Sequence, residues 1–232
     1  TESLVGAVEE VGMLRAASVD LTLNSQQEQR EQLAVVTTPL PCRGVGGESV
    51  PHLLFLSNLI PSKGVYVLLD ACKILKEKGL NFHCNFVGGE SKEINRSVFE
   101  QAVRERALVD CVTYHGPKYG EEKEQYWRMA DVFVQPTFED CFPLTILEAM
   151  QHHKPIVSTD EGAVPDMVVD GENGFICKRQ DAAGLANAIE RLLLDEALRH
   201  RMGEEGYRMY KEKFTLSCFE HRFAEILRSL NG

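Results

Sequence analysis

The segment most informative about the fold reads Thr-Phe-Glu-Asp-Cys-Phe-Pro-Leu-Thr-Ile-Leu-Glu-Ala-Met, residues Thr137–Met150. It follows a short apolar run, Val132–Gln135, and its second half has a strongly helical composition. A strand, loop and helix in this order put Glu139 and Asp140 at the carboxyl end of the strand and Glu148 in the helix. In an open α/β sheet this edge forms the ligand crevice, and a helix N-terminus binds phosphate. Carboxylates beside a phosphate seat suit hydroxyl groups, so the segment predicts a site for a nucleotide-sugar.

Short apolar runs alternate with amphipathic stretches from about residue 51 onward. The runs predicted as strands are His52–Asn58, Phe82–Gly88, Val112–His115, Val132–Gln135, Pro155–Ser158 and Gly174–Cys177. Because these runs are continuous rather than alternating, they are typical of strands buried on both faces. Apolar residues at helical spacing within residues 65–75 and 185–193 predict connecting helices. The repeated strand–helix order predicts an α/β fold with a doubly wound parallel sheet, a Rossmann-like domain.

The first fifty residues do not open such a domain. The sequence offers a candidate helix end and strand within Met13–Leu23, a polar helix candidate at Ser25–Leu33 and a strand candidate at Ala34–Thr38. A stretch rich in Pro and Gly, typical of a linker, follows. We therefore expect residues 1–46 to be the remnant of a preceding domain with its linker, and residues 47–232 to form the Rossmann-like domain. Near the C-terminus, apolar residues at helical spacing predict a helix that packs on another part of the protein, such as the remnant formed by residues 1–46. These residues are Phe219, Phe223, Ile226, Leu227 and Leu230.

Charge and cysteine content limit the classes of binding partner and indicate the cellular compartment. The 232 residues carry a formal net charge of −10, which argues against nucleic acid or an anionic membrane surface as a partner of this segment. Seven scattered cysteines without a Cys-x-x-Cys pair are typical of reduced thiols, so we expect a cytoplasmic protein. No segment has the composition of a metal cluster.

Three motifs follow the predicted strands in order. They are Asn58-Leu59-Ile60-Pro61-Ser62-Lys63-Gly64, then Gly88-Gly89, and finally two acids, Asp140 and Glu148, that flank a Phe-Pro-Leu core. In these motifs, residues 52–232 resemble the C-terminal, donor-binding domain of GT-B-fold retaining glycosyltransferases of family 4 (group 1). Residues 10–42 resemble the end of that family's N-terminal domain and the interdomain linker.

The resemblance implies a reaction and its partners. A sugar would move from a nucleoside-diphosphate sugar, with UDP or GDP favoured, to an acceptor hydroxyl in polysaccharide or glycoconjugate synthesis. The acceptor would be a carbohydrate or lipid-linked molecule bound by the N-terminal domain, and that domain would also provide any peripheral membrane association. Neither a cofactor nor a metal is implied. This segment alone is expected to be inactive without the acceptor domain.

The first motif implies a diphosphate site. In the family an Arg and a Lys grip the diphosphate, and here Lys63 matches the Lys while Asn58 replaces the Arg. An ammonium pairs with phosphate as a point charge, but the bidentate guanidinium contact is lost. Alternatively, Lys63 is a solvated residue in a first helical turn. The Gly88-Gly89 turn and the loop with His115 are implied to lie near the base, although a glycine pair at such a turn is common without function.

The acidic motif implies the remaining contacts. Glu148 matches the family's ribose-binding carboxylate, and Asp140 matches the carboxylate near the transferred sugar. Glu139 is the alternative for that second role after a small loop shift. The backbone at Phe142, Pro143, Leu144 and Thr145 would bind the diphosphate and stabilise it as it departs. Alternatively, Glu139 and Asp140 cap the helix and interact with its dipole.

Two other functional classes remain open. The substitution of Asn58 for Arg favours a non-catalytic module that binds a nucleotide-sugar or a partner protein. A GT-B-fold epimerase or phosphorylase is the third hypothesis. A phosphorylase would need an inorganic phosphate site, and the cofactor-using type a Schiff-base lysine, and neither is identifiable in the sequence.

Overall fold

The computed structural model of the protein describes residues 50–230, so the predictions for residues 1–46 lie outside the described residues. The strands are β1 (His52–Leu56), β2 (His83–Val87), β3 (Val112–Tyr114), β4 (Val132–Gln135), β5 (Ile156–Thr159) and β6 (Gly174–Cys177). All six predicted strands are confirmed, with bounds that differ by at most two residues. The sequence patterns therefore located the sheet correctly.

The six strands form a single parallel sheet in the order β3-β2-β1-β4-β5-β6. The chain moves outward from β1 to β3 and then crosses back to place β4 beside β1, with Leu53 paired with Val132 and Leu54 with Phe133. This reversal is the topological switch point of a doubly wound sheet, and ligands bind in the crevice outside it. The predicted fold class is confirmed. The loops after β1 and β4 open at this crevice.

Helices cover both faces of the sheet. In the described residues they are α1 (Val65–Glu77), α2 (Arg96–Glu105), α3 (Gly120–Met129), α4 (Leu144–Gln151), α5 (Val164–Met167), α6 (Ala182–Leu194), α7 (Glu196–Lys213) and α8 (Leu216–Leu230). A 3₁₀ turn at Pro61–Lys63 precedes α1. Helix α1 packs on α6, and α4 packs on α7.

Alternation along each strand divides the core into two layers. Along β1, Leu53 and Phe55 point to the layer that contains α1 and α6, and the intervening Leu54 points the other way. On that second face the ring of Phe133 lies 5.2 Å from the ring of Trp127 in α3. All of these side chains are fully or almost fully buried, which explains why the strands read as continuous apolar runs.

The C-terminal helix was predicted correctly, but its apolar face is exposed in the described residues. Phe219, Phe223 and Ile226 are each more than half exposed, and the two phenyl rings stack at 5.8 Å. The predicted packing partner, the segment 1–46, lies outside the described residues. None of the helices in residues 50–230 combines the length and the apolar character that crossing a membrane would require.

Gly64 brings the loop after β1 against the loop after β4. Its φ of 82° lies in the left-handed region, and a Cβ built there would fall 2.1 Å from the carbonyl oxygen of Pro136. A side chain at this position would therefore combine backbone strain with a collision against another backbone segment. The close approach seats the 3₁₀ turn, and with it Lys63, beside the β4–α4 loop.

We expect Gly64→Ala to lower the free energy of unfolding by about 3 kcal/mol, because strain and collision add. Gly79→Ala is the matched control, since Gly79 has a similar φ of 77° but no neighbour within 4 Å of its Cβ position. It should cost only about 1 kcal/mol, the strain of a left-handed alanine. Urea denaturation of both variants measures the difference, and equal losses would contradict the importance of the contact.

Candidate functional site

The first and third sequence motifs meet at the switch point through Lys63. Its Nζ donates to Asp140 Oδ2 at 2.7 Å and to the carbonyl oxygen of Glu139 at 3.0 Å. The amide of Phe138 also donates to the carbonyl oxygen of Ser62 at 2.9 Å, which ties the two loops together through their backbones. An ammonium has three N–H donors, and these contacts of the described residues use two of them. The third donor is not used by these contacts, so it could bind an anionic group placed at this edge.

The two loop acids differ in their surroundings. Glu139 is exposed, whereas the Asp140 side chain is only 16% exposed and is held by Lys63. Helix α4 begins at Leu144 after an N-cap at Pro143, and no acid lies in its first turn. The interpretation of Glu139 and Asp140 as helix-capping acids is therefore wrong, because both precede the helix by several residues.

The loop between β4 and α4 is also fixed on its other side. The amide of Ala163 donates to the carbonyl oxygen of Cys141 at 3.0 Å. Gly162, with a φ of 52°, approaches so closely that a Cβ there would lie 2.1 Å from the carbonyl oxygen of Asp140. The backbone that carries Asp140 is thus bound by the loop after β1 and by the loop after β5. Such bracing preorganises the carboxylate.

The first turn of α4 presents its N-terminal backbone to the crevice. Phe142 and Leu144 are 45% and 65% exposed, and Pro143 between them is buried. The hydroxyl of Thr145 donates to Oε1 of the buried Gln135 at 2.5 Å, so the end of β4 fixes the start of the helix. The first amides of a helix have no partner within the helix and carry partial positive charge. They form a seat for an anion.

Glu148 lies in the second turn of α4, half-buried against α3. Its Oε2 accepts from Lys123 Nζ at 2.8 Å and from the indole nitrogen of Trp127 at 3.3 Å. Neither Lys123 nor Trp127 could be recognised as a site residue from the sequence, because α3 is largely polar and lacks a clear apolar period. The only sequence signal for this pair was the four-residue spacing between a lysine and a tryptophan. That spacing is too common in helices to indicate a site.

The glycine pair and Asn58 lie on the other side of β1. The Asn58 side-chain oxygen accepts from the amide of Gly89 at 2.8 Å, so the residue that replaces the family's arginine braces a turn. Gly88 has a φ of 151°, and a Cβ there would lie 2.0 Å from the carbonyl oxygen of Ser57. Beside this turn is a small cleft of about 160 Å³, lined by Asn58, both glycines, Lys118 and Tyr119 among others.

His115 turns into the protein rather than standing free at the end of β3. Its Nε2 lies 2.8 Å from Oδ1 of the buried Asn85, and its ring contacts that of Tyr126 at 4.8 Å. Desolvation by burial, reinforced by His83 and nearby cations, lowers the pKa of His115 to about 4. The imidazole is therefore neutral at physiological pH.

Histidines near α4 have local partners. The ring of His152 stacks on Trp127 at 5.2 Å with an angle of 8° between the planes, and its Nε2 lies 3.4 Å from Glu124. His153 Nδ1 lies 2.8 Å from Glu204. Residues 50–230 contain no group of three or more His, Cys, Asp or Glu side chains that could hold a metal ion.

Comparison with known proteins identifies the family. Residues 47–209 match the family model described as "Glycosyl transferases group 1", and the chain belongs to this family. The chain is 30% identical over 152 residues to the amylovoran biosynthesis glycosyltransferase AmsK of Erwinia amylovora, an alignment that covers 63% of this chain and 37% of that protein. It is 28% identical over 164 residues to the capsular polysaccharide biosynthesis glycosyltransferase CapM of Staphylococcus aureus, covering 69% and 41%. The chain thus spans less than half the length of these relatives.

Solved structures share the fold. Sucrose-phosphate synthase from Thermosynechococcus elongatus superposes with a TM-score of 0.70 at 28% identity, over 78% of this chain and 45% of that one. The C-terminal domain of the group 1 glycosyl transferase LpcC from Francisella tularensis gives a TM-score of 0.65 at 22% identity, over 72% and 87%. The doubly wound sheet is therefore the GT-B type of Rossmann-like domain.

The lowered pKa of His115 predicts a pH-dependent stability. Since the folded pKa of about 4 lies below the unfolded value of about 6.5, the unfolded state binds more protons between these values. Stability should be full above pH 6.5 and should fall as the pH drops toward 4. We expect wild type to lose about 1–2 kcal/mol more than His115→Gln between pH 7 and pH 5, in denaturation experiments. The same substitution at the exposed His200 is the control, and equal losses in wild type and His115→Gln would contradict the prediction.

Proposed function

We propose that residues 47–232 are the C-terminal, donor-binding domain of a retaining glycosyltransferase of family 4, and that residues 1–46 belong to its N-terminal acceptor domain and the linker. Membership of the group 1 family and the strand order of the sheet support this placement. The partial coverage of longer relatives is consistent with a second domain.

The observation that carries the proposal is the seat formed by Lys63, Asp140 and the N-terminus of α4. Lys63 has an N–H donor directed to no described residue, and the first amides of α4 add positive potential. A diphosphate placed there would accept the remaining Lys63 donor and the first amides of α4, with Asp140 on the side of the sugar. Both groups stabilise the negative charge that grows on the diphosphate as it leaves.

Asp140 is the better placed of the two acids for the transferred sugar. The Asp140 carboxylate, proposed to contact the sugar, is bound to Lys63, proposed to contact the diphosphate. The Glu139 side chain is exposed, and only the backbone carbonyl oxygen of that residue contacts Lys63. In the proposed reaction the bond between the anomeric carbon and the diphosphate oxygen breaks. A bond to the acceptor oxygen forms on the same face, and the acceptor proton passes to the departing diphosphate. No protein nucleophile is required.

Glu148 would hold the ribose, and the base would enter the cleft beside Gly88 and Gly89. The Oε1 atom of Glu148 makes none of the contacts described above, so it is available to accept from ribose hydroxyls. Both glycines line this cleft, and their missing side chains let the turn pack closely against Ser57 and Asn58. His115, bound to Asn85, would support the wall of this region from within rather than contact the base.

Membership of the family supports a proposal for the compartment, donor and acceptor. We infer a cytoplasmic enzyme of polysaccharide or glycoconjugate synthesis that uses a carbohydrate or lipid-linked acceptor. A UDP- or GDP-sugar is its donor, and it requires no cofactor. Peripheral membrane association would belong to the acceptor domain.

A non-catalytic nucleotide-sugar-binding module is the second candidate, and the role of Asn58 favours it. The family's arginine would offer a bidentate contact to the diphosphate, but Asn58 instead accepts a hydrogen bond from Gly89. Retained donor binding without turnover, measured with the acceptor domain present, would support this candidate. Turnover under the same conditions would exclude it.

We expect Glu148→Ala to weaken the binding of the preferred nucleotide by about tenfold or more, because a charged acceptor for ribose hydroxyls is lost. Calorimetric titration with UDP, GDP and ADP identifies the preferred nucleotide and measures the loss. Glu77→Ala, on the distant surface of α1, is the control and should bind normally. Unchanged affinity in Glu148→Ala would refute the assignment of this residue.

Lys63→Met should weaken binding of the nucleoside diphosphate by about tenfold, because its ammonium contacts the diphosphate. The corresponding nucleoside, which lacks phosphates, should bind Lys63→Met and wild type equally. Because Lys63 also binds Asp140, melting curves are needed to show that the variant is folded. Equal losses for nucleoside and nucleoside diphosphate would argue for a purely structural lysine.

A further inference from the structure

Two residues of α3 converge on one oxygen atom of Glu148. Lys123 and Trp127 are four residues apart, so their side chains share one face of the helix. The ammonium lies 2.8 Å and the indole nitrogen 3.3 Å from the same Oε2 atom. Both contacts therefore engage Oε2, and neither of them uses Oε1.

Trp127 is itself immobilised. Its side chain is completely buried, its ring contacts that of Phe133 in the sheet, and the ring of His152 stacks on it. Its indole nitrogen can donate in only one direction. Lys123 is partly exposed, with 29% of its side chain accessible, and it supplies charge. Together a rigid neutral donor and a cation restrict the rotamers of Glu148.

We propose that Lys123 and Trp127 are positioning residues, which orient Glu148 so that its Oε1 accepts both ribose hydroxyls of the donor. The inference rests on the proposed function, because it assumes that Glu148 binds ribose. Without the two donors Glu148 would retain its charge but sample more rotamers, and the nucleotide would have to order it on binding. Preorganisation of this kind raises affinity without a contact between the positioning residues and the ligand.

A purely structural role is the competing explanation. The ion pair and the indole contact also join α3 to α4, and losing them would affect stability. A structural defect would weaken every ligand of the site. Loss of positioning affects only ligands that use Glu148, that is, those with ribose hydroxyls. The two explanations therefore predict different responses to a ligand that lacks these hydroxyls.

The test compares the preferred nucleoside diphosphate with its 2′,3′-dideoxy analogue by calorimetry. We expect Lys123→Met to weaken the ribonucleotide about fivefold, while the dideoxy analogue binds wild type and variant within about twofold. Lys123→Arg, which keeps a cationic donor, should restore most of the ribonucleotide affinity.

In a Glu148→Ala background, Lys123→Met should cause no further loss of ribonucleotide affinity, since Lys123 acts through Glu148. Trp127→Phe should behave like Lys123→Met if it remains folded.

Lys73→Met is the matched control. It removes a lysine from a surface pair with Glu77 on α1, away from the crevice, and should leave both affinities unchanged. Equal losses for both ligands in Lys123→Met, or additive losses with Glu148→Ala, would overturn the positioning role. If Glu148→Ala binds the ribonucleotide normally, or no nucleotide binds wild type at millimolar concentration, the ribose site itself fails and the inference with it. A loss in Glu148→Ala without one in Lys123→Met refutes the positioning role alone.

Discussion

The parallel pairing of β1 with β4 is the constraint on which the site depends. It places two loops that are more than seventy residues apart in the chain side by side at the carboxyl edge of the sheet. The close approach of Gly64 to Pro136 then locks them, and the contact between Lys63 and Asp140 lies within that junction. Without this pairing, the two motifs would remain separate in space as they are in sequence.

The strands of the sheet could be predicted from the sequence because each is buried on both faces and forms a continuous apolar run. Lys63, Asp140 and Glu148 could also be assigned to the correct loops and helix, because each motif follows a predicted strand. In a parallel sheet the carboxyl ends of the strands lie at the same edge. Helix boundaries were harder to predict. The acids before α4 resembled caps, although the helix starts only at Leu144, after a proline that ends the extended loop.

The supporting contacts could not be predicted, because they join residues of different elements. Lys123 and Trp127 lie in a polar helix without a clear period, and only the packing of α3 on β4 brings them to Glu148. Likewise, the sequence does not show that Asn58 braces a glycine turn, nor that His115 points inward to Asn85. Such side-chain orientations follow from tertiary packing rather than from local propensity.

Trp127 is the only tryptophan of the chain, and its indole nitrogen donates to the carboxylate proposed to hold the ribose. Indole fluorescence responds to nearby charge and to the hydrogen bond at its nitrogen. This chain therefore carries a single tryptophan reporter, and Glu148 alone separates its indole nitrogen from the proposed ribose site. In this chain, occupancy of the crevice should be readable as a change in tryptophan emission without an added label.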